Sequence, residues 1–299
     1  MSAIRRSGKA SIMTYDDEVL RALQLEELAI LKRIDELCAA RDIVYFLDSG
    51  TALGAVRHGG FIPWDDDIDI GMLRDDYERF LQAAKEDLGD EYEIGIPGVT
   101  PGYAPLFAKV WKRGTKFYTQ ETIEASFDQG IFVDVFPYDP VFPDGKARKK
   151  QFSRCTFWQR VSYLYHAKSV QVPHGGLLGS FERAACAVAH RICRMLFEPE
   201  RIARSFDESA RAAEGGGVAG CYAAMSYPPD PPFAIETLLP PAICEFEGIA
   251  LPIPHDSKTY LETWYGPTYR EIPPVELRTN HAPLVLDFGS GAIDAHASV

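Results

Sequence analysis

The feature of this chain that most constrains its fold is a run of four aspartates enclosed by apolar side chains. A short apolar run, residues 43–47, leads into the polar turn Asp48-Ser49-Gly50-Thr51. The segment 61–70 follows, with isoleucines and a tryptophan around its acids, which are Asp65, Asp66, Asp67 and Asp69. Aspartate clusters are usually solvated turns, but acids in apolar surroundings need a partner or a bound cation. We therefore expect a folded site here.

Side-chain periodicity predicts a strand over residues 67–72. Asp67 and Asp69 then lie on one face of that strand, with the intervening isoleucines on the other. Two adjacent carboxylates repel each other unless a cation neutralises them, and hard oxygen ligands suit Mg²⁺ or Mn²⁺. Asp65 shares the same parity and is a further candidate ligand. Asp66 has the opposite parity, which predicts a surface or capping role.

The polar turn before the acids is a candidate phosphate site. A short helix is expected over residues 51–57, and the backbone N–H groups at the start of a helix attract anions. We therefore expect substrate contacts from Ser49, Gly50 and Thr51. Arg57 and His58 lie between this turn and the acids, and they are predicted to contact phosphates because a guanidinium matches phosphate geometry; a structural role is the alternative.

Composition narrows the class of protein. The 299 residues are 46% hydrophobic and 25% charged, as in ordinary globular proteins. A net charge of −12 argues against a general nucleic-acid binder, which needs a basic face. We find no apolar run long enough for a transmembrane segment and no signal-peptide core near the N-terminus, so a cytoplasmic location is expected. The six scattered cysteines are predicted to be free thiols.

The order of helical and strand patterns predicts an α/β (α+β) fold with a mixed sheet flanked by helices. An amphipathic helix is expected over 15–40, and Asp139 is expected to form a turn after the strand at 131–136. Residues 146–213 have helical composition. The remaining expected strands are 43–47, 92–96, 106–111 and 116–119, followed by a hairpin near 244–253; the other expected helices are 75–88 and 257–265.

Four segments, in order, resemble the LicD family, whose relatives include fukutin-related protein. They are GTALGAVRHGGFIPWDDDIDI (50–70), FAKVWKRGTKF (107–117), GIFVDVFPYD (130–139) and the long stretch 246–283. The resemblance implies a nucleotidyltransferase-like sheet with a helical insertion. It further implies one catalytic domain over 1–299, with a core at about 43–140 and 240–285 and the insertion at about 145–215.

The resemblance also implies roles for particular residues. A strand with two acids and a third acid on a neighbouring strand makes Asp67, Asp69 and Asp134 the expected catalytic residues. These three, with Asp65, are the expected ligands of Mg²⁺ or Mn²⁺. Lys109 matches a lysine of the family and is expected to contact either a phosphate or an acid.

Arg278 and His281 match the family's C-terminal R-x-x-H. They are expected to close over the donor substrate as a phosphate clamp or an acid. A tail packed on the sheet is the alternative.

The activity implied is a metal-dependent transfer of phosphocholine, or a related phospho-alcohol, to a hydroxyl of a cell-surface glycan. CDP-choline or another CDP-alcohol would be the donor, CMP would leave, and Asp134 would be the base. The glycan acceptor could be lipid-linked, and the basic stretch Lys146–Lys150 could then hold the protein at the inner membrane face. Two alternatives stay open: a nucleotidyltransferase that uses an NTP directly, and a non-catalytic binding relative.

Overall fold

The computed structural model describes residues 15–168, 176–214, 220–225 and 229–289. The predicted class is confirmed, because helices flank a sheet that contains both parallel and antiparallel strands. The first half contains α1 Asp17–Arg41, β1 Phe46–Leu47, α2 Ser49–His58, β2 Asp69–Leu73, α3 Arg74–Asp87, β3 Tyr92–Gly95, β4 Ala108–Lys112, β5 Lys116–Tyr118, α4 Gln120–Ala125 and β6 Phe132–Pro140. The second half contains α5 Gly145–His166, α6 Gly176–Leu196, α7 Pro199–Ala210, β7 Cys221–Ala224, β8 Phe233–Ala234, α8 Ile235–Leu238, β9 Ala242–Phe246, β10 Ile249–Ile253, α9 Ser257–Tyr265 and β11 Val285–Asp287.

The main sheet is built around β6. Its strand order is β1-β2-β6-β4-β3, and β7 joins the later half of β6 and carries β8 at its side. Only β2 and β6 are parallel, with Asp69 opposite Asp134, and the other pairs are antiparallel. β5 belongs to a separate two-stranded sheet with β11. Because β2 and β6 run in the same direction, acids at equivalent positions on them lie at the same level of the sheet.

Helix α1 packs across the sheet through its apolar face. The carboxylate of Asp16 caps it by accepting the N–H of Glu18 at 3.0 Å. Leu23, Leu31 and Ile34 are completely buried in the main core. Burying an aliphatic side chain of this size contributes about 1.5–3 kcal/mol to stability, so this face fixes α1 beneath the strands.

The helical stretch predicted for residues 146–213 corresponds to α5, α6 and α7. It has its own apolar cluster, to which α5 contributes Cys155 and Val161 and α7 contributes Ile202 and Phe206. The predicted boundary at about 215 lies outside the described residues. The division into core and insertion remains a prediction. All six cysteines are free, as expected, and no helix in the described part of the chain could cross a membrane.

Two expectations about acids were wrong. Asp139 does not form a turn, since β6 continues to Pro140 and the buried Asp139 carboxylate accepts two hydrogen bonds from Arg74 at 2.7 and 2.6 Å. Asp66 is neither a surface nor a capping residue, because it is fully buried. The parity argument failed at Asp66 because β2 begins only at Asp69, so strand alternation does not extend back to that position.

Candidate active site

The acids predicted to act together converge where β2 and β6 begin. Asp69 is opposite Asp134 in the parallel register. The N–H of Asp134 also donates to the carbonyl oxygen of Ile68 at 2.9 Å, which extends the alignment toward Asp67. Residues opposite each other on paired strands point to the same face of the sheet. The two strands therefore bring acids 65 positions apart in sequence to one place.

Burial and mutual repulsion both disfavour ionisation of most acids in this cluster, whereas His281 and Lys109 lower the pKa of Asp67. Burial, then the charges of Asp67 and Asp134, raise the pKa of Asp69 well above its ordinary value. Burial, then the charge of Asp67, raise the pKa of Asp65 in the same way. Carboxylates this close cannot all be ionised without a compensating cation. The donor set of Asp65, Asp67, Asp69 and Asp134 contains only oxygen, which is the ligand type that Mg²⁺ and Mn²⁺ prefer. Among the described residues, however, the group whose ligand atoms all lie within 4.8 Å of one another is Asp66, Asp67 and His281, so the four acids suit such an ion by chemistry and would have to close around it.

Lys109 supplies one positive charge to this cluster. It is opposite Asp134 on β4, and its Nζ is 2.5 Å from an Asp134 carboxylate oxygen and 3.5 Å from the centre of the Phe132 ring. Burial raises the pKa of Asp134 to about 6 even though Lys109 acts to lower it. Lys109 therefore has an acid partner, and its contact with a phosphate remains a prediction.

Glu27 is a member of the cluster that the sequence analysis missed. It lies on α1, is fully buried, and neither carboxylate oxygen has a hydrogen-bond partner among the described residues. Burial raises its pKa well above the ordinary value, and the charges of Asp67 and Asp66 raise it further. Gln24, one turn earlier on α1, donates to the Asp65 carbonyl at 3.0 Å. An acid on the apolar face of an amphipathic helix was the signal that could have identified Glu27.

Asp48 is a second missed acid. It is fully buried, and one carboxylate oxygen accepts the N–H of Ser49 at 2.7 Å, the hydroxyl of Tyr138 at 2.8 Å and the hydroxyl of Tyr260. The other oxygen has no partner in the described structure. Asp48 thus caps α2, and Ser49 also donates its N–H to Tyr260 at 3.1 Å. The first N–H of the expected phosphate turn is therefore engaged within the protein.

The other two residues of that turn contact the acids. Thr51 Oγ1 accepts the N–H of Asp69 at 2.9 Å, which ties α2 to the start of β2. Gly50 permits close approach, because a Cβ at this position would lie 3.0 Å from Oδ2 of Asp65. Ser49, Gly50 and Thr51 lie next to the acids, and their contact with a phosphate remains a prediction.

The C-terminal segment returns to the acids, and the expected contact of His281 with the donor substrate remains a prediction. The N–H of His281 donates to both carboxylate oxygens of Asp66 at 2.8 and 3.0 Å, and its Nδ1 is 3.2 Å from Asp67. Asp66 also accepts the hydroxyl of Tyr15 at 2.7 Å. Hydrogen bonds from His281 to these two acids raise the pKa of His281. One ligand atom each from Asp66, Asp67 and His281 lies within 4.8 Å of the others, and His281 would have to release its proton to ligate a metal there.

The remaining basic residues hold this segment in place. Arg57 donates to the carbonyls of Tyr269 and Glu271 at 3.0 and 3.3 Å, and to His58 at 2.9 Å. The guanidinium of Arg278 lies 4.2 Å from the centre of the Trp64 ring, a distance suited to cation–π attraction. Arg57, His58 and Arg278 therefore have partners in the protein, and their expected roles at phosphates remain predictions.

Comparison with known proteins identifies relatives of this chain. Residues 42–177 match the family model described as LicD/FKTN/FKRP, nucleotidyltransferase domain. Over 147 residues, 46% of the chain, the sequence is 35% identical to the lipopolysaccharide cholinephosphotransferase LicD of Haemophilus influenzae, of which the match covers 54%. Over 103 residues, 34% of the chain, it is 49% identical to the human ribitol 5-phosphate transferase FKRP, of which the match covers 18%.

A third relative matches a longer part of the chain, but it is an uncharacterized protein. The chain is 31% identical over 171 residues, 51% of its length, to an uncharacterized protein of Rickettsia prowazekii, of which 62% is covered. The matches thus span less than two thirds of each of these relatives. The resemblance read from the sequence agrees with these matches, each of which covers only part of the chain.

Proposed function

Because residues 42–177 match the family model of the LicD/FKTN/FKRP nucleotidyltransferase domain, we propose that the protein transfers a phospho-alcohol from a CDP-activated donor to a hydroxyl of a glycan. Phosphocholine from CDP-choline is the first candidate, since one relative is a cholinephosphotransferase; a ribitol 5-phosphate transferase is another relative. CMP is the expected leaving product. The acceptor would be a surface glycan such as lipopolysaccharide, a capsule or a teichoic acid.

The observation that carries this proposal is the convergence of acids and bases from distant parts of the chain. Asp69 and Asp134 are side by side on β2 and β6, Lys109 pairs with Asp134, and His281 contacts Asp67. A crowded carboxylate cluster is costly to a fold unless it serves a bound ion. A divalent cation held by Asp65, Asp67, Asp69 and Asp134 would supply positive charge against the donor's phosphate oxygens.

Three residues of the chain would carry out the other parts of the transfer step. The acceptor oxygen attacks the distal phosphorus of the donor, a new P–O bond forms, and the bond to the CMP oxygen breaks with its electron pair leaving on CMP. Asp134 takes the acceptor proton, because its pKa of about 6 suits a general base near neutral pH. Lys109 holds that carboxylate in place, and His281 adds positive charge beside Asp67.

An assay of the products tests the proposal. The protein is incubated with CDP-choline, CDP-ethanolamine or CDP-ribitol and a lipopolysaccharide acceptor, with Mg²⁺ or with EDTA, and CMP is measured by mass spectrometry. We expect CMP from one donor, lost with EDTA and reduced at least a thousandfold in Asp134→Asn. Pyrophosphate release from an NTP, without CMP from any CDP-alcohol, would instead favour the nucleotidyltransferase alternative.

A further inference from the structure

Helices α5 and α6 expose both apolar and basic side chains. On α6, Val188, Ile192, Met195 and Leu196 are between 48% and 81% exposed. With 100° between successive residues, these four positions lie within about 100° of the helix circumference. They therefore form one apolar stripe, which faces away from the folded core.

A chain of aromatic rings joins the end of α6 to α5. Phe157 is half exposed and packs edge-on against Trp158 at 5.1 Å, and Trp158 packs against Phe197 at 5.5 Å, just beyond the end of α6. A groove of about 480 Å³ runs along this side of α5. Its lining residues are Gly145, Arg148, Lys149, Phe152, Ser153, Thr156, Phe157 and Arg160.

Charge on this segment is opposite to that of the whole chain. Residues 145–197 contain ten lysines and arginines and one glutamate, although the chain has 43 acids and 31 lysines and arginines in total. Lys146, Lys149, Lys150 and Arg154 are exposed on α5, and Arg191 is exposed beside the stripe on α6. A protein with a net charge of −12 thus concentrates positive charge in the segment that carries the exposed apolar stripe.

We propose that the α5–α6 face binds the surface of an anionic phospholipid membrane. Apolar side chains beside lysines and arginines are the pattern of helices that lie in the plane of a membrane interface, and each basic residue near an anionic leaflet contributes about 1 kcal/mol of attraction. A second protein with an apolar groove would explain the stripe, but it would not require this excess of positive charge.

Vesicle flotation tests the assignment. The full chain is mixed with vesicles of phosphatidylcholine alone or of phosphatidylcholine with phosphatidylglycerol, at low and high salt. We expect binding to the anionic vesicles, weakened by salt because exposed charges are screened. The variant Ile192→Gln/Met195→Gln/Leu196→Gln should bind at least about tenfold more weakly, since it loses the inserted apolar area. Lys149→Gln/Lys150→Gln should bind anionic vesicles about thirtyfold more weakly than the parent chain, since two of the basic residues are lost.

The matched control changes equally exposed apolar residues elsewhere, as Val99→Gln/Ile243→Gln/Leu277→Gln, and should bind like the parent chain. Circular dichroism and the melting temperature show whether each variant is folded. Failure of the parent chain to bind anionic vesicles would overturn the proposal, as would unchanged binding by the folded α6 variant. Light scattering that shows a dimer abolished by the α6 variant, without vesicle binding by the parent, would assign the face to self-association instead.

Discussion

At the scale of single residues, Glu27 is a buried acid whose charge no side chain in the described part of the site neutralises. Hydrogen bonding normally satisfies a buried carboxylate, yet both oxygens of Glu27 lack a partner among the described residues. Its nearest charges are themselves acids, with Asp67 and Asp66 contributing most. A bound cation would relieve this repulsion. We therefore expect Glu27 to increase the affinity of the site for a metal ion.

Glu27→Gln should therefore separate metal binding from folding. An amide keeps the size of the side chain but cannot carry the negative charge that burial and the neighbouring acids already disfavour, so the metal-free protein should lose no stability. Affinity for Mn²⁺, measured by calorimetry, should fall about tenfold because the cluster attracts cations less strongly.

Glu26→Gln is the matched control, since Glu26 is the adjacent residue of α1 but pairs with Lys112 at 2.6 Å. It should leave Mn²⁺ affinity unchanged. Equal Mn²⁺ affinity in the parent chain, Glu26→Gln and Glu27→Gln would show that Glu27 is not part of the cation site.

At the scale of elements, a buried ion pair connects the sheet to two helices. Arg74 begins α3 and reaches Asp139 on β6 through two hydrogen bonds, and its other terminal nitrogen is 3.1 Å from Asp207 on α7. Arg74 and Asp139 are both buried. Removing one partner of such a pair leaves an uncompensated charge in the interior.

Asp139→Asn should destabilise the fold by about 3 kcal/mol, at the lower end of the usual range because Asp207 still faces Arg74. Urea unfolding followed by circular dichroism measures this loss. Glu93→Gln removes an exposed pair with Arg113, 3.6 Å apart, and should cost less than about 1 kcal/mol. Similar losses in both variants would contradict a structural role for the buried pair.

The same elements show what the sequence could predict. Periodicity located α1, α9 and the β9–β10 hairpin, and the h-D-h pattern around Asp134 placed an acid on β6. Prediction from local sequence failed for Asp66 and Asp139, because their burial depends on His281 and Arg74, which are distant in the chain. The two pairs are separated by 65 and 215 residues in the sequence. The topology of the fold brings such residues together, so local sequence patterns cannot predict their contacts.

At the scale of the whole molecule, the acids and the α5–α6 face lie on different parts of the chain and carry opposite charge. The acid cluster is the proposed cation site, whereas residues 145–197 hold ten of the basic residues. A transferase arranged in this way would keep its basic face toward an anionic surface and its acid cluster available to a metal-bound donor. The two features can be tested independently.

Metal removal should change the stability of the whole protein. Because a ligand that binds only the folded state stabilises it by mass action, saturating Mg²⁺ should raise the melting temperature by a few degrees over the EDTA-treated protein. Asp69→Asn should abolish this difference and should not lower the melting temperature measured in EDTA, since it removes one of the repelling charges. A fall in that temperature would mean that the Asp69 charge stabilises the metal-free fold.

The most direct test of the central claim is a Mn²⁺ titration of the parent chain and of Asp67→Asn/Asp69→Asn, followed by electron paramagnetic resonance. The account predicts saturable binding by the parent chain and its loss in the double variant, with circular dichroism showing both folded. Equal binding by the two proteins, or none by the parent chain, would contradict the assignment of these acids as a metal site.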